Sequence, residues 1–300
     1  MNGFFNILKP PGLSSAAVVG AVKRLTGEKR VGHAGTLDPE AAGVLPVMVG
    51  RATRLFDYLV DKEKSYVAEC AFGTATDTED AQGTVIAEGS HYPALAECAR
   101  AAARLTGDIL QRPSVYSAIK QGGKPLYDRA RRGEDVEAPL RPVHIERITL
   151  LEERPNHGLL LRVDCGRGTY IRSLCRDLGE LTGCPAHMRF LLRTRSGAFT
   201  LAEAHTLEEL AQARDEGRPE RLLIPPEAPL GHLPAVRVKP GFVRLAASGT
   251  APEKHNLTES LPASLPEGGA VRVFGGDVFL GIAARSGDGL RWQAVFPPEE

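Results

Sequence analysis

The residue best placed to do chemistry is Asp38, in the stretch Gly32-His33-Ala34-Gly35-Thr36-Leu37-Asp38-Pro39. One acid stands there among glycines, small residues and proline, ahead of the apolar run 44–49. Pro39 fixes its own backbone and biases Asp38 away from the helical region. The expectation is a stiff loop that holds a carboxylate beside a buried strand, although an ordinary Asp-Pro turn closing a hairpin has the same letters. A second run, Gly166-Arg167-Gly168-Thr169-Tyr170-Ile171-Arg172, joins an alternating strand pattern at 159–165 to a helical one. Ile171, Leu174, Cys175, Leu178 and Leu181 mark one face of that helix. Arg172 falls in its first turn, where the helix dipole disfavours a cation, so a carboxylate partner there makes physical sense. A third stretch, from Arg112 to Arg141, holds seven Lys/Arg against four acids, interleaved with Tyr116 and Tyr127. Bases for phosphates and aromatics for stacking suit single-stranded or looped RNA. A mixed-charge surface loop has the same composition.

These residues need a scaffold, and the chain offers one. Residues 4–9 read as a short strand stopped by Pro10-Pro11-Gly12. Ser14 and Ser15 then cap a helix with Val18, Ala21, Val22 and Leu25 on one side. A helix is expected from Arg51 to about Val60, a strand over 66–72 and helical periodicity over 93–106. The turn-rich run from Gly73 to Gly83 reads as a structural hairpin connection, since it lacks the spacing of a calcium loop. Residues 225–230 read as a linker. Beyond it come short strands (236–238, 270–274, 278–284, 291–295), one helix between Gly241 and Gly249, and a loose loop over 253–268.

Three hundred residues suit one large domain plus a small one. No apolar run reaches the roughly 18 residues needed to span a bilayer, and residues 1–5 do not read as a signal peptide. The five cysteines, at 70, 98, 165, 175 and 184, include no CxxC pair, so reduced thiols in cytosol are expected rather than zinc or disulfides. Net charge is zero but unevenly spread. Arg162 to Arg195 holds seven Lys/Arg against three acids, while Phe72 to Glu97 has five acids and no Lys/Arg. Such a basic face can steer a polyanion.

Gly-Thr-Leu-Asp-Pro followed by Ala-x-Gly-x-Leu-Pro resembles the signature of the TruB family of tRNA pseudouridine synthases. Further matches lie in the Lys9-Pro10-x-Gly12 turn, Lys64-x-Tyr66, the Thr-Asp-Thr-x-Asp run at 76–80, Gly168-Thr-Tyr-Ile-Arg172 and Leu191-x-Arg193-Thr194. The last departs from the family pattern, since Leu192 stands where an Arg is usual. The resemblance implies an α+β pseudouridine-synthase fold, with a central mixed, mostly antiparallel sheet flanked by helices and loops. A catalytic domain would occupy 1–230, with an RNA-clamping insertion at about 112–142 that is partly disordered without RNA. A small PUA-like β-barrel would occupy 231–300.

The resemblance also implies an activity: isomerisation of the T-loop uridine at position 55 of tRNA to pseudouridine. Asp38 would be the catalytic carboxylate, as nucleophile or as base at the ribose C2′–H. Arg172 would pair with it. Tyr66, Tyr170 and Leu191 would wall the flipped base, with Tyr66 a candidate proton acceptor. His33 would wedge into the vacated stack, and Lys9 and Lys64 would join the substrate contacts. No metal or cofactor is implied. The expected partner is the tRNA T-arm, with a cytoplasmic monomer, no membrane and no obligate protein partner. The alternatives are a guide-RNA-dependent synthase subunit, a tRNA-folding chaperone with incidental catalysis, and a hydrolase using Glu40 as a second acid.

Overall fold

The computed structural model describes residues 1–59, 63–117, 119–130 and 132–297. The expected helix end at Val60 and the basic Arg131 lie outside them. Strand β1 (Gly3–Lys9) ends at the Pro-Pro-Gly turn, where two prolines remove the donors a ladder needs. Helix α1 (Ser15–Thr26) begins where Ser14 Oγ accepts the Ala17 N–H at 3.1 Å, and stops at Gly27 in the left-handed region. Its Val18 and Val22, one turn apart, pack with Phe5, Ile7, Leu45 and Val47. Strands β2 (Val31–His33) and β3 (Ala42–Val49) bracket the Asp38 loop and pair antiparallel, His33 opposite Val47.

A 3-10 helix, Gly50–Tyr58, leads towards β4 (Lys64–Phe72). The hairpin β5 (Thr74–Thr76) and β6 (Val85–Glu88) and helix α2 (Leu95–Arg104) follow, then β7 (Gly107–Gln111). The insertion carries β8 (Lys120–Gln121), β9 (Lys124–Pro125) and α3 (Leu126–Ala130), and builds its own small core of Ile119, Leu126 and Ala138 with Tyr170 against it. Strands β10 (Arg141–Arg154) and β11 (Gly158–Cys165), helix α4 (Ile171–Thr182), β12 (Ala186–Ser196) and β13 (Phe199–Thr200) complete the sheet.

The sheet runs β1-β3-β12-β4-β11-β10-β7, with β2 added on β3 and β13 on β12. Every pairing is antiparallel except β12 with β3. This is the mixed, mostly antiparallel sheet expected. Helices α2 and α4 cover one face, where Cys98, Leu174 and Leu178 meet Ala68, Cys70 and Leu161. Each fully buried aliphatic side chain contributes about 1.5–3 kcal/mol. Helix α5 (Leu207–Asp215) went unread in an acidic stretch; a Thr206–Glu209 capping box starts it and it buries Leu210.

The C-terminal strands β14 (Ala235–Val238), β15 (Ala270–Gly275), β16 (Val278–Ser286) and β17 (Gly289–Val295) form one sheet in that order, with α6 (Val243–Ala247) beside it. The expected barrel does not close: among the described residues, β14 pairs with β15 and with Leu257 but not with β17. The 253–268 loop is irregular yet anchored, because Leu257 and Leu265 sink into this unit's core. The 225–230 stretch is not a loose linker either. Leu230 is fully buried with Phe4, Val44, Phe279 and Phe296, which ties the two sheets together.

Candidate active site

Because β2 and β3 pair, the intervening residues must double back, and side chains from distant elements hold them. Ser15 Oγ donates to the Leu37 carbonyl at 2.9 Å and accepts the Leu37 N–H at 2.8 Å. Lys9 Nζ donates to the Pro39 carbonyl at 2.7 Å, and the Gly12 N–H reaches the same oxygen at 3.0 Å. Arg193 donates to Gly35 at 3.0 Å, to Thr36 at 3.3 Å and to Val44 at 2.7 Å. Each such bond is worth about 0.5–1.5 kcal/mol net, and together they leave the loop little freedom. Arg193 can reach because β12 lies parallel beside β3. At that crossing Gly43 has φ 111°, and a Cβ there would stand 2.2 Å from the Arg193 carbonyl oxygen, so only glycine fits.

The loop delivers Asp38 to Arg172. Nε lies 2.9 Å from Oδ2 and Nη2 donates to Oδ1 at 3.2 Å, a two-pronged contact that a guanidinium fork makes and an ammonium does not. Arg172 is 5 % exposed, whereas the Asp38 side chain keeps 36 % of its surface open. Arg172 spends its other donors on the carbonyls of Thr78 at 3.0 Å and Tyr116 at 3.2 Å. Asp80 Oδ2 stands 3.9 Å from Arg172 Nε. The 73–83 connection, read from sequence as purely structural, therefore also fixes the cation. It is anchored in turn on α4, where Glu79, at φ 64°, accepts from Ser173 Oγ at 2.7 Å and pairs with Arg176.

Tyr170 sits just before α4, its backbone bonded twice to the buried Gln111 side chain, at 2.8 and 3.1 Å. Cavities of about 400 and 340 Å³ lie on either side of the Asp38–Arg172 pair. Lys64, Tyr66 and Tyr170 line the first; Thr78, Asp80 and Phe190 line the second; Leu191 and Tyr116 belong to both. Of the expected site residues, Asp38, Arg172, Tyr66, Tyr170, Leu191 and Lys64 thus meet around one cavity. His33 and Lys9 do not line it.

Lys9 requires a correction. It is 0 % exposed, and its Nζ is committed to the carbonyls of Pro10 and Pro39, so it braces the loop instead of touching a substrate. Burial pulls its pKa down to about 8, with Glu40 and Asp38 opposing and Arg193 assisting. Burial, with the Arg193 charge, also lowers the pKa of His33, whose buried Nδ1 has no hydrogen-bond partner among the described residues. Burial raises the pKa of Tyr66, against the pull of Arg193, and raises that of Tyr170. Both tyrosines are neutral phenols at pH 7.

The basic residues near 190 behave differently from the sequence reading. Arg189 pairs with Glu69 at 2.7 Å and Arg195 with Glu63 at 3.1 Å, while Arg193 turns inward and is 1 % exposed. Leu192 falls on the opposite side of β12 from Arg193, so its departure from the family pattern leaves the loop clamp intact. Among the described residues no group of three or more His, Cys, Asp or Glu is placed to hold a metal ion, and no helix is long and apolar enough to cross a membrane.

Comparison with known proteins adds to this geometry. The family model for the TruB family pseudouridylate synthase N-terminal domain matches residues 23–171, and that for the tRNA pseudouridylate synthase B C-terminal domain matches 172–230. The chain is 44 % identical to tRNA pseudouridine synthase B of Moorella thermoacetica, over 99 % of this chain and 98 % of the relative. It is 46 % identical to the Symbiobacterium thermophilum protein of the same name, over 84 % and 83 %. Among solved structures it resembles a Cbf5-Nop10-Gar1 complex, at 28 % identity and TM-score 0.75, covering 98 % of this chain and 85 % of that one. An H/ACA ribonucleoprotein bound to a substrate RNA containing 2′-deoxyuridine matches at 26 % identity and TM-score 0.75, over 99 % and 85 %.

Proposed function

The chain belongs to the TruB family of pseudouridine synthases, and on that premise we propose that it isomerises the T-loop uridine of tRNA, position 55, to pseudouridine. The observation that carries the reading is the two-pronged Arg172–Asp38 contact on the wall of a cavity that also holds Tyr66 and Tyr170. A half-open carboxylate held by a buried guanidinium is aimed and reachable from the cavity. Tyr66, Tyr170 and Leu191 offer walls for a base taken out of its stack. The C1′–N1 bond breaks, the uracil turns, and C5 rejoins C1′, with the C5 proton ending on N1. Asp38 serves as nucleophile at the sugar or base or as base at C2′. Tyr66, a neutral phenol in the resting site, acts as a stacking face. Lys64 contributes a charge for the backbone phosphate, and His33, kept neutral, fills the vacated stack.

We further propose that residues 1–230 form the catalytic unit and 231–300 an accessory RNA-binding unit, with the T-arm as the partner and 112–142 as its clamp. A guide-dependent reading draws on the Cbf5 likeness, but the higher identity, 44 and 46 % against 28 %, favours the tRNA enzymes. The test is to incubate the purified protein alone with unmodified tRNA and map pseudouridine. A single new pseudouridine in the T-loop supports the reading; a requirement for a guide RNA or a protein partner overturns it.

A further inference from the structure

Arg193 is a buried cation whose charge the loop clamp alone does not explain. Among the described residues it donates to three carbonyl oxygens and hydrogen-bonds the Tyr66 side chain, and no carboxylate stands within ion-pair distance. Carbonyls can be satisfied by neutral amides or water, whereas burying a guanidinium without an acid is costly. Arg172 is shared between Asp38 and, at 3.9 Å, Asp80, whereas Arg193 stands at the wall of the base cavity with no carboxylate partner among the described residues. It is also the direct cross-strand partner of Tyr66 in the β4–β12 pairing.

A reaction of the proposed kind needs such a charge. When C1′–N1 breaks, the bonding pair leaves with the uracil, and negative charge spreads over N1 and the two carbonyl oxygens until C5 rejoins the sugar. The same charge develops whether Asp38 attacks C1′ of the sugar or takes the C2′ proton. A fixed cation in a water-poor wall stabilises it without reorganisation.

We propose that Arg193 is a positioning and electrostatic residue, which holds the Asp38 loop by its carbonyls and sets a positive charge behind Tyr66 against the departing uracil. This rests on the uridine-isomerising reading above. It assigns Arg193 a task in the bond-breaking step, distinct from any contact with RNA phosphates.

The test compares Arg193→Lys with Arg193→Met, since lysine keeps the charge but loses the fork. Single-turnover conversion of unmodified tRNA should fall by at least about 10²-fold in Arg193→Met, with tRNA binding within about threefold. Arg193→Lys should recover at least about tenfold of that rate, even though amide exchange at residues 35–37 quickens in both variants. A lysine variant no faster than methionine, at equal loop exchange, makes Arg193 a mechanical clamp only and overturns the charge assignment.

Should Arg193→Met fail to fold, Arg193→Lys still decides, using tRNA with 5-fluorouridine at the target and following loss of the C1′–N1 bond by mass spectrometry. Fluorine stabilises the uracil anion itself, so the lysine defect should shrink on this substrate; an unchanged defect contradicts the proposal. Wild-type protein that forms no pseudouridine overturns the functional reading, whereas active wild type with unimpaired Arg193→Met overturns this inference alone.

Discussion

Arg172 grips Asp38 with two nitrogens, Nε 2.9 Å from Oδ2 and Nη2 3.2 Å from Oδ1, across 134 residues of chain. The buried partner is the cation and the half-open one is the acid, so the pair presents a charged carboxylate edge to the cavity. Arg172→Ala should lower turnover by at least about 10²-fold, because the acid loses both its aim and its compensating charge. Arg172→Lys should recover little, since one ammonium cannot also serve the Thr78 and Tyr116 carbonyls. Steady-state rates for the two variants check this, and full activity in both would remove the pair from the mechanism.

Ser15 bonds Leu37 twice, as donor and as acceptor, in a fully buried contact. Ser15→Ala leaves a buried N–H and a buried carbonyl unpaired, at a cost of about 1–3 kcal/mol. Denaturant unfolding should show that loss, and turnover should fall with it because the Asp38 loop loosens. Unchanged stability would mean that water or a shifted backbone replaces the hydroxyl.

What could be read from the letters alone was the chemistry carried in contiguous runs. Asp38 with its prolines, Tyr170 and Arg172 at a strand-to-helix junction, and the capped first helix all declare themselves locally. What could not be read depends on which strands become neighbours. Arg193 looked like one more surface base until the parallel β12–β3 pairing set it against Val44, 149 residues away. The resemblance put Lys9 among the substrate contacts, yet the turn folds it under Pro39. Asp80 and Thr78 read as turn formers, and only the anchoring of Glu79 on α4 brings them to Arg172. The C-terminal strands were visible, but nothing in their alternation says whether the sheet closes.

Lys9 should give the stability curve a distinct alkaline limb. Its native pKa is about 8, below the ordinary 10.5, so between these values the unfolded chain holds a proton that the native chain has released. Stability therefore rises with pH across that window, by on the order of 1 kcal/mol per unit from this group. The neutral amine still has two hydrogens for its two carbonyls, so both bonds survive. Unfolding free energies from pH 7.5 to 10.5 should climb relative to Lys9→Met; parallel curves would refute the shift.

Lys124 and Arg132 are exposed on the insertion. Replacing both by glutamine should weaken tRNA binding and flatten its salt dependence by about 0.7–0.9 log unit for each phosphate no longer neutralised. Melting temperature should barely move, because exposed charges contribute little to folding. Titrations at several salt concentrations give the slope, and an unchanged slope would place the RNA clamp elsewhere.

Asp38 is the residue on which the whole account turns, and Asp38→Asn removes its charge while keeping its size. The direct measurement is pseudouridine mapping in unmodified tRNA incubated with wild-type or Asp38→Asn protein alone, with tRNA affinity measured in parallel. The account predicts one T-loop pseudouridine with the wild type, and none with the variant although it binds tRNA within a few fold. Near-normal conversion by Asp38→Asn would contradict it.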